Sequence, residues 1–201
     1  MPENSGHVNY PERVILTDDP LRAKMLAAHH LEHAKLIREQ GDTLEYLGSY
    51  NGTAIALVSS GFDRGAVPFC ARRSGQLGAF EIIYIGECVS SKRGLPLRSV
   101  IIAEGGGRKL LARTLSAAAR YAIPAGVLPV AASGTAQSGA DISDSVSGEL
   151  YESAKEHGFA ALAVLTVSEN TETGERMEEH ERRSRLYAAA RLVFESMALN
   201  A

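Results

Sequence analysis

Tryptophan is absent from this chain of 201 residues, and cysteine occurs only twice, at Cys70 and Cys88, each in an apolar setting. Two such cysteines give no disulfide framework and no metal-ligand spacing, so a reducing, cytoplasmic setting is expected. Basic charge is not in excess. The 21 Lys and Arg against 24 Asp and Glu leave a net charge of −3 with the signs interspersed, which excludes a broad positive field for nucleic acid. Long apolar runs are lacking too. The N-terminus, MPENSGHVNYPERV, has neither a basic start nor an apolar h-region, so no membrane partner and no secretion signal are expected. What is present is 45% hydrophobic residues, enough for one sizeable core, with no linker-like stretch. Residues 1–201 therefore read as one domain, with residues 1–12 a polar arm carrying two prolines.

Hydrophobic periodicity alternates between strand and helix. Val14 to Leu16 is a short apolar run, followed by Asp19 and Pro20, a good N-cap and first-turn pair for a helix with Leu21, Met25 and Ala28 on one stripe. A second helical stretch is expected over Leu31 to Glu39. From Thr43 to Ser59 the period is two and Asn51-Gly52 interrupts it, which marks a tight hairpin. A helix over Val67 to Leu77 precedes buried strands at Phe80 to Gly86 and Arg98 to Ala103. Lys109 to Tyr121 is an alanine-rich helix, and Val127 to Ala132 another strand. A small-residue loop at 133–143, a helix over Ser147 to His157, a strand over Ala160 to Val167 and a long C-terminal helix over Glu175 to Leu199 complete the chain. Such alternation predicts an α/β sandwich with a mixed sheet, in which Val14 to Leu16, Ile82 to Gly86, Val100 to Ala103 and Ala160 to Val167 share the sheet.

Two runs near opposite ends carry most of the functional signal. Each is an apolar strand breaking into polar residues at its carboxyl end, where α/β proteins collect ligands. The first ends in Thr17-Asp18-Asp19-Pro20-Leu21-Arg22-Ala23-Lys24 and the second in Val167-Ser168-Glu169-Asn170. Together they resemble the purine/uridine nucleoside phosphorylase family, in which a Pro-Gly-Asp-Pro-Leu-Arg-Ala-Lys turn contributes to a phosphate site and a strand ending in Val-Ser-Asp supplies the acid that meets the purine. The resemblance implies a phosphorylase/hydrolase-like three-layer α/β/α sandwich, assembly as a dimer or trimer of dimers, and a nucleoside-like small-molecule ligand with no cofactor.

Matched position by position, the family pattern is partly retained. Arg22 matches the phosphate-contacting arginine, and its fork of donors suits an oxyanion. Asp18 stands in place of a glycine. In the strand resembling the family's Ile-Ile-Arg-Val-Gly-Ser-Cys-Gly, Tyr84 takes the place of a second arginine and Glu87 that of a serine. Gly41 corresponds to the arginine lent by a neighbouring subunit. Two carboxylates gained and two arginines lost argue against a phosphate dianion bound in the family manner. On the sugar side Asp144-Ser145-Val146 stands where the family carries Glu-Met-Glu, so Asp144, or Glu149 nearby, is the candidate for ribose hydroxyls.

Glu169 is the main catalytic candidate, because a carboxyl at a strand end beside Ser168 and Asn170 can be desolvated enough to hold a proton. The alternative is a capping or solvent-facing carboxylate. Gly61, in the loop Ser60-Gly61-Phe62-Asp63-Arg64-Gly65, could aim amides at a ligand or simply connect elements. Gly105-Gly106-Gly107 lacks P-loop spacing and reads more readily as a turn than as an anion cradle. His29 and His33, four apart on an expected helix, have no third ligand, so no metal is expected. Glu178 with Arg182, Glu179 with Arg183 and Glu181 with Arg185 read as i,i+4 pairs on a solvated helix face. Two functions remain open: cleavage of an N-glycosidic bond by phosphorolysis or hydrolysis, with Arg22 holding an anion or activating water and Glu169 assisting the leaving base, or a catalytically silent homologue that binds a small ligand or serves in assembly.

Overall fold

In the computed structural model, which describes residues 10–63, 65–132, 141–184 and 186–199, the elements run β1 (Arg13–Thr17), α1 (Pro20–His30), β2 (Glu32–Gln40), β3 (Thr43–Tyr50), β4 (Thr53–Ser59), α2 (Ala66–Gln76) and β5 (Glu81–Ser90). There follow β6 (Val100–Ala103), α3 (Arg108–Arg120), β7 (Ala125–Leu128), β8 (Ala131–Ala132), β9 (Ile142–Asp144), α4 (Ser147–His157), β10 (Ala160–Asn170), β11 (Glu175–Arg176), α5 (Glu179–Ser184) and α6 (Tyr187–Ala198). Most of the expected loop at 133–143, and residues 1–9 of the expected arm, lie outside the described residues.

The described strands form an 11-stranded mixed sheet whose main path is β2-β3-β4-β1-β5-β10-β6-β7. β4, β1, β5 and β10 are mutually parallel neighbours, whereas β6 runs antiparallel to β10. The four runs expected to share a sheet do so. β1, β5 and β10 are near-continuous apolar sequences because both of their faces are covered. On one face Ile15, Ile83 and Val164 pack with Leu26 of α1, Leu110 of α3 and Phe194 of α6. On the other, Leu16, Ile82 and Leu165 pack with Val67 of α2 and Leu150 of α4. Helices on both sides of one sheet make the three layers.

Three local expectations are corrected. In α1 the buried positions are Arg22, Ala23, Leu26 and Ala27, while Leu21 is 41% exposed, so the helix is turned about its axis relative to the expected stripe. Arg22 is on the buried side, its guanidinium bonded to Thr17, Asp18 and Glu87. Leu31 to Glu39 is not helical: Leu31 is already extended, and β2 pairs antiparallel with β3 through Leu36 opposite Tyr46 and Glu39 opposite Leu44. Gly48 permits this, because a Cβ there would lie 2.9 Å from the Glu32 carbonyl oxygen and 3.0 Å from Leu31 Cβ. Strand pairing thus overrides a local helical pattern. His29 and His33 accordingly share no helix face, and His33 sits at φ +55° in β2. The C-terminal helix is interrupted into β11, α5 and α6, although Leu186, Ala190, Val193, Phe194 and Met197 do form its buried face.

The β3–β4 hairpin turns on Asn51 at φ +48° and Gly52 at φ +76°, the positive pair that a tight turn requires. A Cβ on Gly52 would meet nothing within 4 Å, so only backbone strain opposes it. Gly52→Ala is expected to lower stability by about 1 kcal/mol, read from the urea midpoint, with no change in the far-ultraviolet spectrum.

Candidate active site

The parallel strands β1, β4, β5 and β10 all point their carboxyl ends to one edge of the sheet, and the polar residues that follow them meet there. Asp19 starts α1: its Oδ1 accepts from the amides of Leu21 (2.8 Å) and Arg22 (3.4 Å), as expected of an N-cap. That first turn places the Arg22 side chain across the end of β1.

Arg22 is 3% exposed and heavily engaged. Its Nη1 donates to Thr17 Oγ1 at 3.1 Å and to Asp18 Oδ1 at 2.7 Å, and its Nη2 to Glu87 Oε1 at 2.7 Å and the Arg182 carbonyl at 3.1 Å. Burial works against the charged guanidinium, but Asp18 and Glu87 outweigh it, so the group is held charged above the ordinary arginine value. Glu87 spans two cations, because its Oε2 accepts from Arg182 Nε at 2.7 Å. Arg183 Nε bonds Asp19 Oδ2 at 2.8 Å, and its guanidinium lies 5.5 Å from the centre of the Phe62 ring. A cavity of about 640 Å³ opens over this cluster between α1 and α5.

An adjoining cavity of about 280 Å³ shares Asp18, Phe62, Glu87, Arg176 and Arg182 with the first, and brings Tyr84, Asp144, Ser168 and Glu169 to its wall. Tyr84 lies flat over Gly86, two residues on along the same face of β5. A Cβ at Gly86 would come within 2.3 Å of the Tyr84 ring, so the glycine makes room for the tyrosine. The phenol is buried and bonded to Asp18, and burial raises its pKa far above the ordinary tyrosine value. Asp144, just before α4, accepts from the Ser147 amide at 3.0 Å and the Ser147 hydroxyl at 2.6 Å. Its burial raises the carboxyl pKa, and the bonds from Ser147 only partly offset this.

Ser168 is the bulged residue at which the β10–β5 register shifts, and its hydroxyl donates to the Cys88 carbonyl at 3.4 Å. Beyond the bulge Glu169 turns to the cavity. The burial expected of it is not found: its side chain is 31% exposed, and Oε2 accepts from Arg176 Nη2 at 2.6 Å. Two other candidates stand outside both cavity walls. Asn170 is fully buried and holds loops, donating to the Lys92 and Leu95 carbonyls, both at 2.9 Å, while its Oδ1 accepts from the amides of Glu172 and Thr173. Gly61 has φ +81° and packs against Asp42, with its amide bonded to Ser59 Oγ. The Gly105-Gly106-Gly107 turn lies against β10, where a Cβ on Gly106 would be 2.7 Å from the Ala161 carbonyl, and the Gly107 amide bonds that same oxygen. Its glycines are explained by packing.

Arg176 lines the cleft without having been named from the sequence, Phe62 does so having been named only as part of its loop, and Arg182 and Arg183 do so having been read only as partners of Glu178 and Glu179. Arg182 and Arg183 turn inward to Glu87 and Asp19 instead of forming only solvated helix pairs, although Arg183 also lies 3.9 Å from Glu179. The signal that was available is compositional: Glu178 to Arg183 carries no apolar stripe, whereas 186–197 does, which marks a helix break. Among the described residues, no three His, Cys, Asp or Glu side chains converge as a metal site, and no helix is long and apolar enough to cross a membrane.

The fold and cleft define an α/β sandwich with a charged cleft at the ends of its parallel strands. No protein-family profile matches the chain. It is 27% identical over 219 residues to a purine nucleoside phosphorylase DeoD-type of Psychromonas ingrahamii, covering 89% of this chain and 92% of the relative. It is 26% identical over 234 residues to the protein of the same description from Tolumonas auensis, covering 96% and 98%. A crystal structure of purine nucleoside phosphorylase from Toxoplasma gondii in complex with immucillin-H superposes with a TM-score of 0.83 at 17% identity, covering 96% of this chain and 92% of that one. Its sequence relatives and its fold agree in supporting a member of the nucleoside phosphorylase family.

Two expectations concern the cavity walls. Gly86→Ala should cost about 1–3 kcal/mol by overpacking against Tyr84 and alter the near-ultraviolet signal of that ring. Asp144 has a native pKa raised above 3.8, so the native state binds the extra proton, and stability falls as pH rises from about 3.8 through the raised native value. Asp144→Asn keeps an acceptor for the Ser147 amide and should flatten that fall, seen in denaturation midpoints compared across pH.

Proposed function

We propose that the protein binds a nucleoside-like compound in the double cleft and cleaves its N-glycosidic bond. The observation that carries this is the meeting of Tyr84, Glu87, Asp144, Ser168 and Glu169 around one cavity, at the strand ends where the family resemblance expects base and sugar. In this role Glu169 faces the base: with Oε2 held by Arg176, Oε1 is the oxygen that meets a base N–H and draws the leaving group into place. Asp144, fixed by Ser147, meets a sugar hydroxyl. Arg22 lies at the neighbouring anion position, but its two terminal nitrogens are bound to carboxylates. The relatives' printed description, purine nucleoside phosphorylase, supports a purine nucleoside as the first substrate to try.

A second reading, a silent homologue that binds a ligand without cleaving it, is favoured by the same engagement of Arg22 and by the partial exposure of Glu169. The two are separated by incubating the protein with a panel of nucleosides, with and without phosphate, and measuring free base by chromatography. Release of base, lowered about 10²- to 10⁴-fold in Glu169→Gln, supports the enzyme. Saturable nucleoside binding without base release supports the silent homologue. Self-association belongs to the same proposal, because the family resemblance implies pockets built at a subunit interface, and sedimentation at micromolar concentration should show a dimer or larger.

A further inference from the structure

We propose that Glu87 is a resident anion that fills a two-arginine oxyanion site and so decides that water, not phosphate, accepts the sugar. Each of its oxygens serves a different guanidinium, Oε1 with Arg22 Nη2 and Oε2 with Arg182 Nε, both at 2.7 Å. Two cations converging from separate elements on one pair of oxygens is the arrangement that an exogenous oxyanion would need. The Arg22–Glu87 half of this pairing is largely shielded from water, with 4% and 18% of the two side chains exposed, while Arg182 reaches in from the cleft surface with 39% exposed. Asp18 takes the other terminal nitrogen of Arg22 at 2.7 Å, and the Arg22 Nε is buried without a partner, so neither terminal nitrogen of Arg22 is free for an incoming anion.

The charge count points the same way. Asp18 and Glu87 against Arg22 and Arg182 leave this cluster neutral, and a dianion entering it would meet two carboxylates at contact range. Removing Glu87 alone gives the cluster a net positive charge and opens the space between the two guanidinia. Glu87 thus acts as a specificity residue. Its consequence for the acceptor rests on the proposed N-glycosidic cleavage, whereas its exclusion of phosphate does not. With phosphate excluded, the oxygen of water bonds the anomeric carbon, the glycosidic electron pair leaves with the base, and the proton lost by water ends on the base nitrogen, giving free base and free sugar.

The test is calorimetric titration of inorganic phosphate into the full chain, its Glu87→Ala and Glu87→Gln variants and the double variant Glu87→Ala/Arg182→Ala, each first checked by circular dichroism and thermal melting. Wild type should show no saturable binding in the millimolar range, Glu87→Ala should bind at least about tenfold more tightly, and the double variant should lose the gain. Glu87→Gln, which keeps the shape without the charge, should gain less than Glu87→Ala, and it decides the matter if the alanine variant does not fold. Saturable phosphate binding by wild type as tight as by the variants overturns the proposal, as does a folded Glu87→Ala or Glu87→Gln protein that gains nothing. With a nucleoside that the wild type cleaves, base release should be indifferent to phosphate, and in Glu87→Ala it should become phosphate-dependent and yield sugar phosphate. If no nucleoside is cleaved, the functional reading fails, while the titrations still decide the role of Glu87.

Discussion

The buried guanidinium of Arg22 is the constraint around which the cleft is organised. A charge taken out of water is tolerated only when it is paired and hydrogen-bonded, and the two terminal nitrogens of Arg22 are satisfied by groups from four places: Thr17 at the end of β1, Asp18 in the turn, Glu87 on β5 and the main chain of Arg182 in α5. Each partner is thereby fixed relative to the others. The side chain also lies on the buried side of α1, with Leu26 and Ala27 in the core and Leu21 outside. One residue thus links helix orientation, strand-end geometry and the electrostatics of the cleft.

The placement of α5 follows from that core. Six residues are too few for a helix to be stable alone, and its sequence has no apolar stripe to bury. It is held instead by side chains: Arg182 to Glu87, Arg183 to Asp19 and over Phe62, and the bidentate pairing of Arg98 with Glu181 at 2.6 and 2.8 Å. Because the Arg98 pair is largely exposed on the arginine side, its contribution is small, and the half-buried contacts to Glu87 and Asp19 matter more. The wall of the larger cavity is therefore electrostatic in origin. Changes at Glu87 or Asp19 act on the cleft both directly and through α5.

What was legible in the sequence follows from which interactions are local. The parallel strands were visible because β1, β5 and β10 are apolar on both faces, and the hairpin because Asn51-Gly52 reports its own backbone angles. The Asp19 cap was visible because cap and amide are two residues apart. β2 was not, since its strand character comes from pairing with β3 and from the space at Gly48, neither of which a window around Leu31 to Glu39 contains. In the cleft, Arg22, Tyr84, Glu87, Asp144, Ser168 and Glu169 sit on segments of recognisable pattern. Arg182 and Arg183 do not: their spacing from Glu178 and Glu179 fits a solvated helix equally well, and only the interruption before α6 turns them toward residues 95 and 164 positions away in the chain. Asn170 shows the converse, since a polar residue at a strand end looks like a ligand contact until its amide is found clamping the turns at Lys92 and Leu95.

The same distinction explains how a scaffold can persist while the polar groups at its strand ends vary. The sheet, its order and its covering helices depend on dozens of apolar contacts, none of which involves the charged groups at the strand ends. Asp18 and Glu87 stand where a change of residue alters charge without touching that core, whereas the Tyr84 ring is part of it, and each has its compensation nearby: Asp18 and Glu87 balance Arg22 and Arg182, and Gly86 accommodates the Tyr84 ring. Compensation of this kind keeps buried charge balanced, so the substitutions are mutually dependent. A neutral residue at only one of positions 18 and 87 would leave one carboxylate against the two guanidinia of Arg22 and Arg182, a net positive charge in a partly buried cluster. The chemistry of the cleft is therefore set by the balance among these few side chains, while the fold around them stays the same.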